Sequence, residues 1–186
     1  MNFNKHFDLQ GEHAFLSPSK YHWINYDEDK VGSAYLRFLA TQKGTQLHDF
    51  ACQCIRLGIK LPKNKQTLNS YVNDALGFRM TPEQPLFYSE NAFGTADSIS
   101  FRDKILRIHD LKTGVSPVSM SQLEIYVAFF CLEYEINPKK IDIELRLYQS
   151  DDIVVHKPEW ESIQDIMKKI VSFDERINLI KKDLED

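Results

Sequence analysis

Residues 93–126 read FGTADSISFRDKILRIHDLKTGVSPVSMSQLEIY, and the fold is decided in this stretch. The pattern predicts two short strands joined by a charged turn at Arg102-Asp103-Lys104, followed by a glycine-containing turn and a helix. Successive side chains of a strand point to opposite faces, so one face of the second strand carries Leu106, Ile108, Asp110 and Lys112. This face is therefore apolar in the first half of the strand and carries an aspartate and a lysine in the second half.

The first strand of this hairpin carries a second aspartate, Asp97, on the face that also holds Ile99 and Phe101. A hairpin loop with an even number of residues places Asp97 on the face of Asp110, whereas an odd number separates the two carboxylates. The sequence leaves both registers open, and the even loop is our hypothesis.

Length and composition favour one domain. The chain has 186 residues, 42% of them hydrophobic, which is enough to bury one sizeable core. It has no apolar run of about 18 residues and no signal-peptide core, so we expect a soluble, cytoplasmic protein without a membrane segment. Its three cysteines are too few for a disulfide framework or for the four thiolates of an iron–sulfur cluster. The net charge of −4 neither indicates nor excludes nucleic-acid binding.

Helical periodicity and breaking residues predict the other elements. We expect a mainly helical part in residues 1–80, a sheet core in 81–158 and a C-terminal helix in 159–186, all within a single domain. Predicted helices begin at Ser17-Pro18, within Val31 to Ala40, at Thr45 after a break at Lys43-Gly44, at Thr67, at Ser119 and near Glu159. Predicted strands outside the hairpin are one that starts in LFYSE and runs through about Tyr88, after a turn bracketed by Pro82 and Pro85, then 141–148 and IVVH at 153–156.

The C-terminal helix carries Ile163, Ile166, Ile170 and Phe173 at helical spacing and is predicted to end in a charged tail. Its apolar side serves either as a cap on the sheet or as a subunit contact. The sequence leaves both alternatives open.

The hairpin residues have the chemistry of a metal-dependent phosphodiesterase site. Mg²⁺ takes oxygen ligands and keeps several waters, so Asp97, Asp110 and the backbone carbonyl of Leu111 suit it while leaving room for phosphate oxygens. Lys112 lies one pleat beyond Asp110, where an ammonium can hold and help deprotonate an attacking water and offset phosphate charge.

Four short motifs occur in order along the chain: Gly44-Thr45-x-x-His48, Gly94-Thr95-Ala96-Asp97, Asp110-Leu111-Lys112-Thr113-Gly114 and Gln122-Leu123-x-x-Tyr126. In this order and spacing they resemble the motifs of the PD-(D/E)xK nuclease superfamily, and best those of its RecB-like exonuclease branch with its small phage-encoded members. The segment Leu16-Ser17-Pro18-Ser19 and the tryptophan after it are similar to the opening of such proteins. The resemblance covers residues 14–135.

The resemblance implies roles for individual residues. Asp97 and Asp110 would be metal ligands and Lys112 the catalytic lysine, while His48, which alone would be interpreted as an ordinary polar residue, would complete the metal coordination. Gln122 and Tyr126 would lie beside the site or contact DNA. Two alternatives remain open: Ser119-x-x-Gln122 also forms a capping box, and Tyr126 also suits simple packing. Glu83 or Glu90 would be the extra acid of some members, and the sequence does not choose between them.

The resemblance also implies a fold and a function. The expected fold is α/β, restriction-endonuclease-like, with a mixed central sheet flanked by helices and a helical N-terminal region. The expected activity is that of a Mg²⁺- or Mn²⁺-dependent DNA exonuclease in phage or bacterial recombination, in the host cytoplasm if phage-encoded, beside a single-strand annealing protein. A structure-specific endonuclease or nickase and a non-catalytic nucleic-acid-binding subunit are the alternatives, and homo-oligomerisation is left open.

Two departures from the family pattern are visible. Ala96 stands where proline usually precedes the aspartate, and the chain lacks the four cysteines of members that carry a cluster. We therefore expect no iron–sulfur cluster.

Overall fold

The protein is described by a computed structural model that covers Phe7 and residues 14–114 and 118–185. It is an α/β structure with a five-stranded mixed sheet flanked by helices. In chain order the elements are a 3-10 helix at Pro18–Asn25, α1 (Glu28–Leu57), α2 (Thr67–Gly77), β1 (Thr81–Ser89), β2 (Ala92–Arg102), β3 (Ile105–Lys112), α3 (Ser121–Glu133), a 3-10 turn at Pro138–Lys140, β4 (Asp142–Gln149), β5 (Asp152–His156) and α4 (Trp160–Glu185). Residues 115–117 of the predicted turn before α3 lie outside the described residues.

The described residues fall into two compact units that divide between Thr45 and Gln46, within α1. In the first unit Pro18 begins the 3-10 helix after Ser17, as the Ser-Pro pair predicts. The side chain of Asp27 then accepts a hydrogen bond from the backbone N–H of Lys30 (2.7 Å), which caps the start of α1. The second unit holds the sheet and the other helices.

The helix break predicted at Lys43-Gly44 is wrong, because α1 runs without interruption from Glu28 to Leu57. A single glycine costs a helix only about 1 kcal/mol, which does not stop it when the residues on both sides favour helix. Thr45, predicted as a cap, instead donates its hydroxyl to the carbonyl oxygen of Thr41 one turn back (3.3 Å). His48 therefore lies inside a long helix and not in the first turn of a short one.

The predicted end of α1 is confirmed at Gly58, which has φ = +70°. Its N–H donates to the carbonyl of Ile55, and the N–H of Ile59 donates to the carbonyl of Cys54. This pair of hydrogen bonds is the Schellman motif, which requires a left-handed residue that glycine adopts without strain.

The sheet has the strand order β1-β2-β3-β4-β5. The first three strands are antiparallel neighbours, β4 lies parallel to β3 after the α3 crossover, and β5 returns antiparallel to β4. The turn predicted between Pro82 and Pro85 is wrong, because both prolines lie within β1. An edge strand tolerates proline, since one side of its backbone has no neighbouring strand to bond.

The β2–β3 hairpin closes through two residues, Asp103 and Lys104, because Arg102 pairs directly with Ile105. Both loop residues have positive φ, 51° and 62°, as a type I′ turn requires. The loop therefore has the even number of residues that the hypothesis of facing aspartates needs.

Two buried clusters hold the helices on the sheet. The first joins β2, β3 and β4 to α3 and the first half of α4, and the second joins β3 and β4 to α2 and the last turns of α1. The two clusters lie on opposite faces of the sheet, so alternate side chains of β4 contribute to different clusters: Ile143 and Leu145 to the first and Tyr148 to the second. The predicted charged tail after Phe173 is helical as far as Glu185. Among the described residues, no helix combines the length and apolar character needed to cross a membrane.

Candidate active site

Three carboxylates lie side by side on the first three strands. Ser98 pairs with His109, so the next register position sets Asp97 on β2 opposite Asp110 on β3. On the other side of β2, Pro82 pairs with Ser98 and Gln84 with Ala96, which sets Glu83 on β1 opposite Asp97. Glu83 has φ = +50°, an irregular backbone for a strand residue. The site is thus built across neighbouring strands whose register aligns their acids.

His48 reaches this row of acids from α1. Its Nδ1 lies 3.4 Å from Oδ2 of Asp97. Ligand atoms of His48, Glu83 and Asp97 all lie within 4.8 Å of one another, a spacing that fits a single metal ion. The sequence left Glu83 and Glu90 open as the extra acid; Glu83 belongs to this group, whereas Glu90 lies exposed in the β1–β2 turn.

The carboxylate of Asp97 is held in place by the main chain of β3. Its Oδ2 accepts a hydrogen bond from the backbone N–H of Leu111 (2.9 Å). Burial and the nearby charge of Asp110 raise the pKa of Asp97 to about 6, although the Leu111 N–H and His48 oppose this. Two like charges are therefore held close together in a poorly solvated place, which costs free energy unless a cation is present.

Asp110 is almost fully buried, with 1% of its surface exposed, and its partner is Lys112. The ammonium Nζ of Lys112 lies 3.1 Å from Oδ1 and 2.9 Å from Oδ2. The contact with Oδ2 is an ion pair without hydrogen-bond geometry, so this buried oxygen accepts no hydrogen bond from any described residue. Asp110 thus has one buried carboxylate oxygen, next to the ammonium of Lys112, that accepts no hydrogen bond from a described residue.

A chain of hydrogen bonds links Lys112 to α3. Oε1 of Gln122 accepts from Nζ of Lys112 (2.9 Å), and Nε2 of Gln122 donates to the hydroxyl of Tyr126 (3.3 Å). The capping-box alternative for Gln122 is not formed: Oγ of Ser119 accepts from the N–H of Ser121 at the start of α3 (3.1 Å), but the side chain of Gln122 does not bond back to Ser119. The side chain of Gln122 is used at Lys112 instead.

Tyr126 lies against β2 at Gly94. A Cβ atom added to Gly94 would stand 3.0 Å from Cε1 of the Tyr126 ring. Glycine at this position therefore lets the ring approach the strand closely, which is why the chain carries Gly94 three residues before Asp97.

No family model, curated protein or solved structure matches the chain. Its site is therefore interpreted from its own residues.

A cavity of about 240 Å³ opens beside Lys112, on the side of α2. Leu47, Leu68 and Leu111 form apolar walls, and Thr67, Thr113 and Ser150 add hydroxyl groups. The cavity lies where the parallel strands β3 and β4 end, a common place for ligands in α/β sheets. Sequence reasoning missed it, because its walls come from four separate segments.

A buried polar network lies behind the carboxylates. The hydroxyl of Tyr148 donates to Oδ2 of Asp74 (2.7 Å) and lies 3.2 Å from Nδ1 of His109, while Nη1 of Arg146 lies 3.0 Å from the same Asp74 oxygen. Burial lowers the pKa of His109 to about 3, and Arg146 and Arg107 add to this effect. His109 is thus kept neutral next to Asp110 in the chain, and the network braces the strand that carries the site.

Proposed function

We propose that this protein is a Mg²⁺- or Mn²⁺-dependent DNA exonuclease. One observation carries the proposal: Glu83, Asp97 and Asp110 stand in register on adjacent strands, with Lys112 in contact with Asp110 and His48 beside Asp97. Carboxylates with one nearby ammonium are the groups that hydrolysis of a phosphodiester needs, because they hold a hard cation and still admit an anionic substrate.

The donor set fits a divalent cation. The buried Oδ2 of Asp110 lacks a hydrogen-bond donor among the described residues, and the raised pKa of Asp97 reflects burial and the charge of Asp110. We infer that His48, Glu83 and Asp97 hold the ion, and that Asp110, which lies outside this three-residue group, and the carbonyl of Leu111 complete the ligand set. When bound, the ion would lower the pKa of a water and offset charge on the phosphate oxygens.

Side chains of the protein position the catalytic lysine. Lys112 is positioned by Asp110 on one side and Gln122 on the other, so its ammonium is fixed where it can orient a water and stabilise negative charge on the phosphate. Gln122 is in turn held by Tyr126. We assign Lys112 the catalytic role and Gln122 and Tyr126 the role of positioning it.

The fold supports the same proposal. Three antiparallel strands, a crossover helix that carries Gln122 and Tyr126, and a parallel fourth strand agree with the restriction-endonuclease-like core that the motifs implied. Membership of the RecB-like branch, a role in phage or bacterial recombination and partnership with an annealing protein rest on the resemblance of the motifs.

The substrate side of the proposal rests on the cavity beside Lys112. We assign it to the nucleoside next to the scissile phosphate, because its apolar walls suit a base or deoxyribose and its hydroxyls can bond the polar edges. A base that enters such a cavity must leave the duplex, which costs least at a frayed end or in a single strand. This favours an exonuclease over an endonuclease or nickase with the same residues.

Digestion of linear and circular DNA tests the function. We expect release of nucleotides from end-labelled linear DNA with Mg²⁺ or Mn²⁺, none with EDTA, and a loss of at least about 10²-fold in Lys112→Ala. Lys168→Ala, which changes an exposed lysine paired with Asp165 on α4, is the matched control.

Three results would lead to other conclusions. Cleavage of covalently closed circles at the same rate would favour the endonuclease. Binding of DNA without metal-dependent cleavage would favour the non-catalytic subunit. Full activity of Lys112→Ala would refute the site assignment.

A further inference from the structure

Helix α4 carries a stripe of apolar residues that continues beyond the core. The stripe consists of seven residues separated by alternating intervals of three and four positions: Ile163, Ile166, Ile170, Phe173, Ile177, Ile180 and Leu184. This is the a/d heptad pattern of a helix that packs against another helix. The first three pack into the cluster around α3. The last four lie outside it.

The uncovered part of the stripe is well exposed. Phe173 is 64% exposed and Leu184 is 81% exposed, with Ile177 and Ile180 between them at 39% and 43%. Four large apolar side chains on one face of a helix cost free energy in water, and burying them against a second apolar helix removes that cost. The last turns of α4, residues 173–184, are called the distal stripe below.

We propose that the distal stripe pairs with the distal stripe of a second copy of this chain, with the two helices antiparallel. In the distal stripe Ile177 and Leu184 occupy a positions, and Phe173 and Ile180 occupy d positions. In the antiparallel pair Ile177 packs against Ile180 of the second copy and Phe173 against Leu184 of the second copy, so each a residue meets a d residue. The two-fold axis passes between Asn178 and Leu179 of both copies. The contact is isologous and closes at a dimer.

The charges beside the stripe select this partner and this direction. Arg176 flanks one edge, and antiparallel pairing sets it against Asp183 of the second copy, which gives two pairs of opposite charge across the axis. A parallel pair would instead set Arg176 against Lys181, two like charges. Because one sequence supplies both members of each pair, a second copy is a complementary partner.

One edge of the stripe is already held in a fixed geometry. Asp174 accepts hydrogen bonds from Ser89 (2.5 Å) and Asn91 (2.8 Å), and Lys181 donates to Asn91 (2.5 Å). The β1–β2 turn thus fastens the distal half of α4 to the sheet. The helix is presented as a rigid surface, which lowers the entropy lost on pairing.

Molar mass in solution tests the proposal. A monomer has a mass of 21.7 kDa, and sedimentation equilibrium should show a dimer whose population rises with concentration up to about 100 μM. Ile177→Asp should raise the dissociation constant at least about 30-fold, because it places a charge in the apolar contact. Leu179→Asp, on the same helix and 54% exposed but off the stripe, should change the dissociation constant of the dimer by no more than about twofold.

A charge swap tests the direction. Arg176→Asp alone should weaken the dimer about threefold to tenfold, and the double variant Arg176→Asp with Asp183→Arg should restore it. In a parallel pair the single change would strengthen the dimer, because the introduced carboxylate would face Lys181. A wild-type monomer at all concentrations, or a dimer unaffected by Ile177→Asp in a folded protein, would overturn the proposal, and neither result depends on nuclease activity.

Discussion

Asp97 on β2 and Asp110 on β3 face each other because the hairpin between them closes through two residues. Burial and the charge of Asp110 raise the pKa of Asp97 to about 6, so near neutral pH the protein without metal carries a carboxylate that is poorly solvated and repelled by its neighbour. A carboxyl group whose pKa is raised on folding destabilises the fold when the pH rises above its ordinary value. The metal-free site is therefore destabilising, and a bound cation should offset this.

Asp97→Asn should remove the repulsion without changing the shape of the side chain. We expect the metal-free variant to be more stable than the wild type by about 1–3 kcal/mol near pH 7, with the difference growing as the pH rises from about 4 to 6 and then levelling off. Thermal unfolding across this pH range measures it. Asp142→Asn, at an exposed position at the start of β4, is the control.

The wild type and Asp97→Asn should respond differently to added metal ions. Millimolar Mn²⁺ or Mg²⁺ should raise the melting temperature of the wild type by several degrees, about the effect of a ligand at tens of times its dissociation constant. Asp97→Asn should respond little. An equal rise in both proteins would show that the ions bind elsewhere.

Gln122 should matter to catalysis through Lys112. Replacing it with alanine removes the acceptor that holds Nζ at 2.9 Å, so we expect kcat to fall about tenfold with little change in KM. Ser121→Ala, one residue away and bonded to Ser119, should retain activity and the helix content seen by circular dichroism.

Alternation along β3 was enough to predict Asp110 and Lys112 on one face, because a strand has a period of two whatever surrounds it. Placing Asp97 beside Asp110 also required a hairpin loop with an even number of residues, which the sequence left open and the structure supplies. Glu83 could not be chosen from the sequence, because Pro82 and Pro85 made its own part of β1 look like a turn, and its place beside Asp97 depends on the pairing of β1 with β2. His48 was suggested by the motif resemblance alone. Its helix was mispredicted because local glycine propensity was overridden by a 30-residue helix.

Gly94 should be sensitive to any larger side chain. Gly94→Val would push the Tyr126 ring away from β2, and with it the end of the hydrogen-bond chain that reaches Lys112. We expect at least about a tenfold loss of activity with folding retained. Gly77→Ala, whose Cβ would have open space around it, should leave activity unchanged. Normal activity of Gly94→Val would mean that Tyr126 only packs.

Leu68→Trp tests whether the cavity beside Lys112 receives part of the substrate. The indole should fill much of the space of about 240 Å³, so we expect KM for DNA to rise about tenfold or more, because a nucleoside can no longer enter. The metal-dependent rise in melting temperature should persist, since Leu68 does not belong to the group formed by His48, Glu83 and Asp97. Leu57→Trp, at a residue 72% exposed at the end of α1, controls for the added ring. Unchanged kinetics in folded Leu68→Trp would remove the cavity from the substrate path and leave the metal site as proposed.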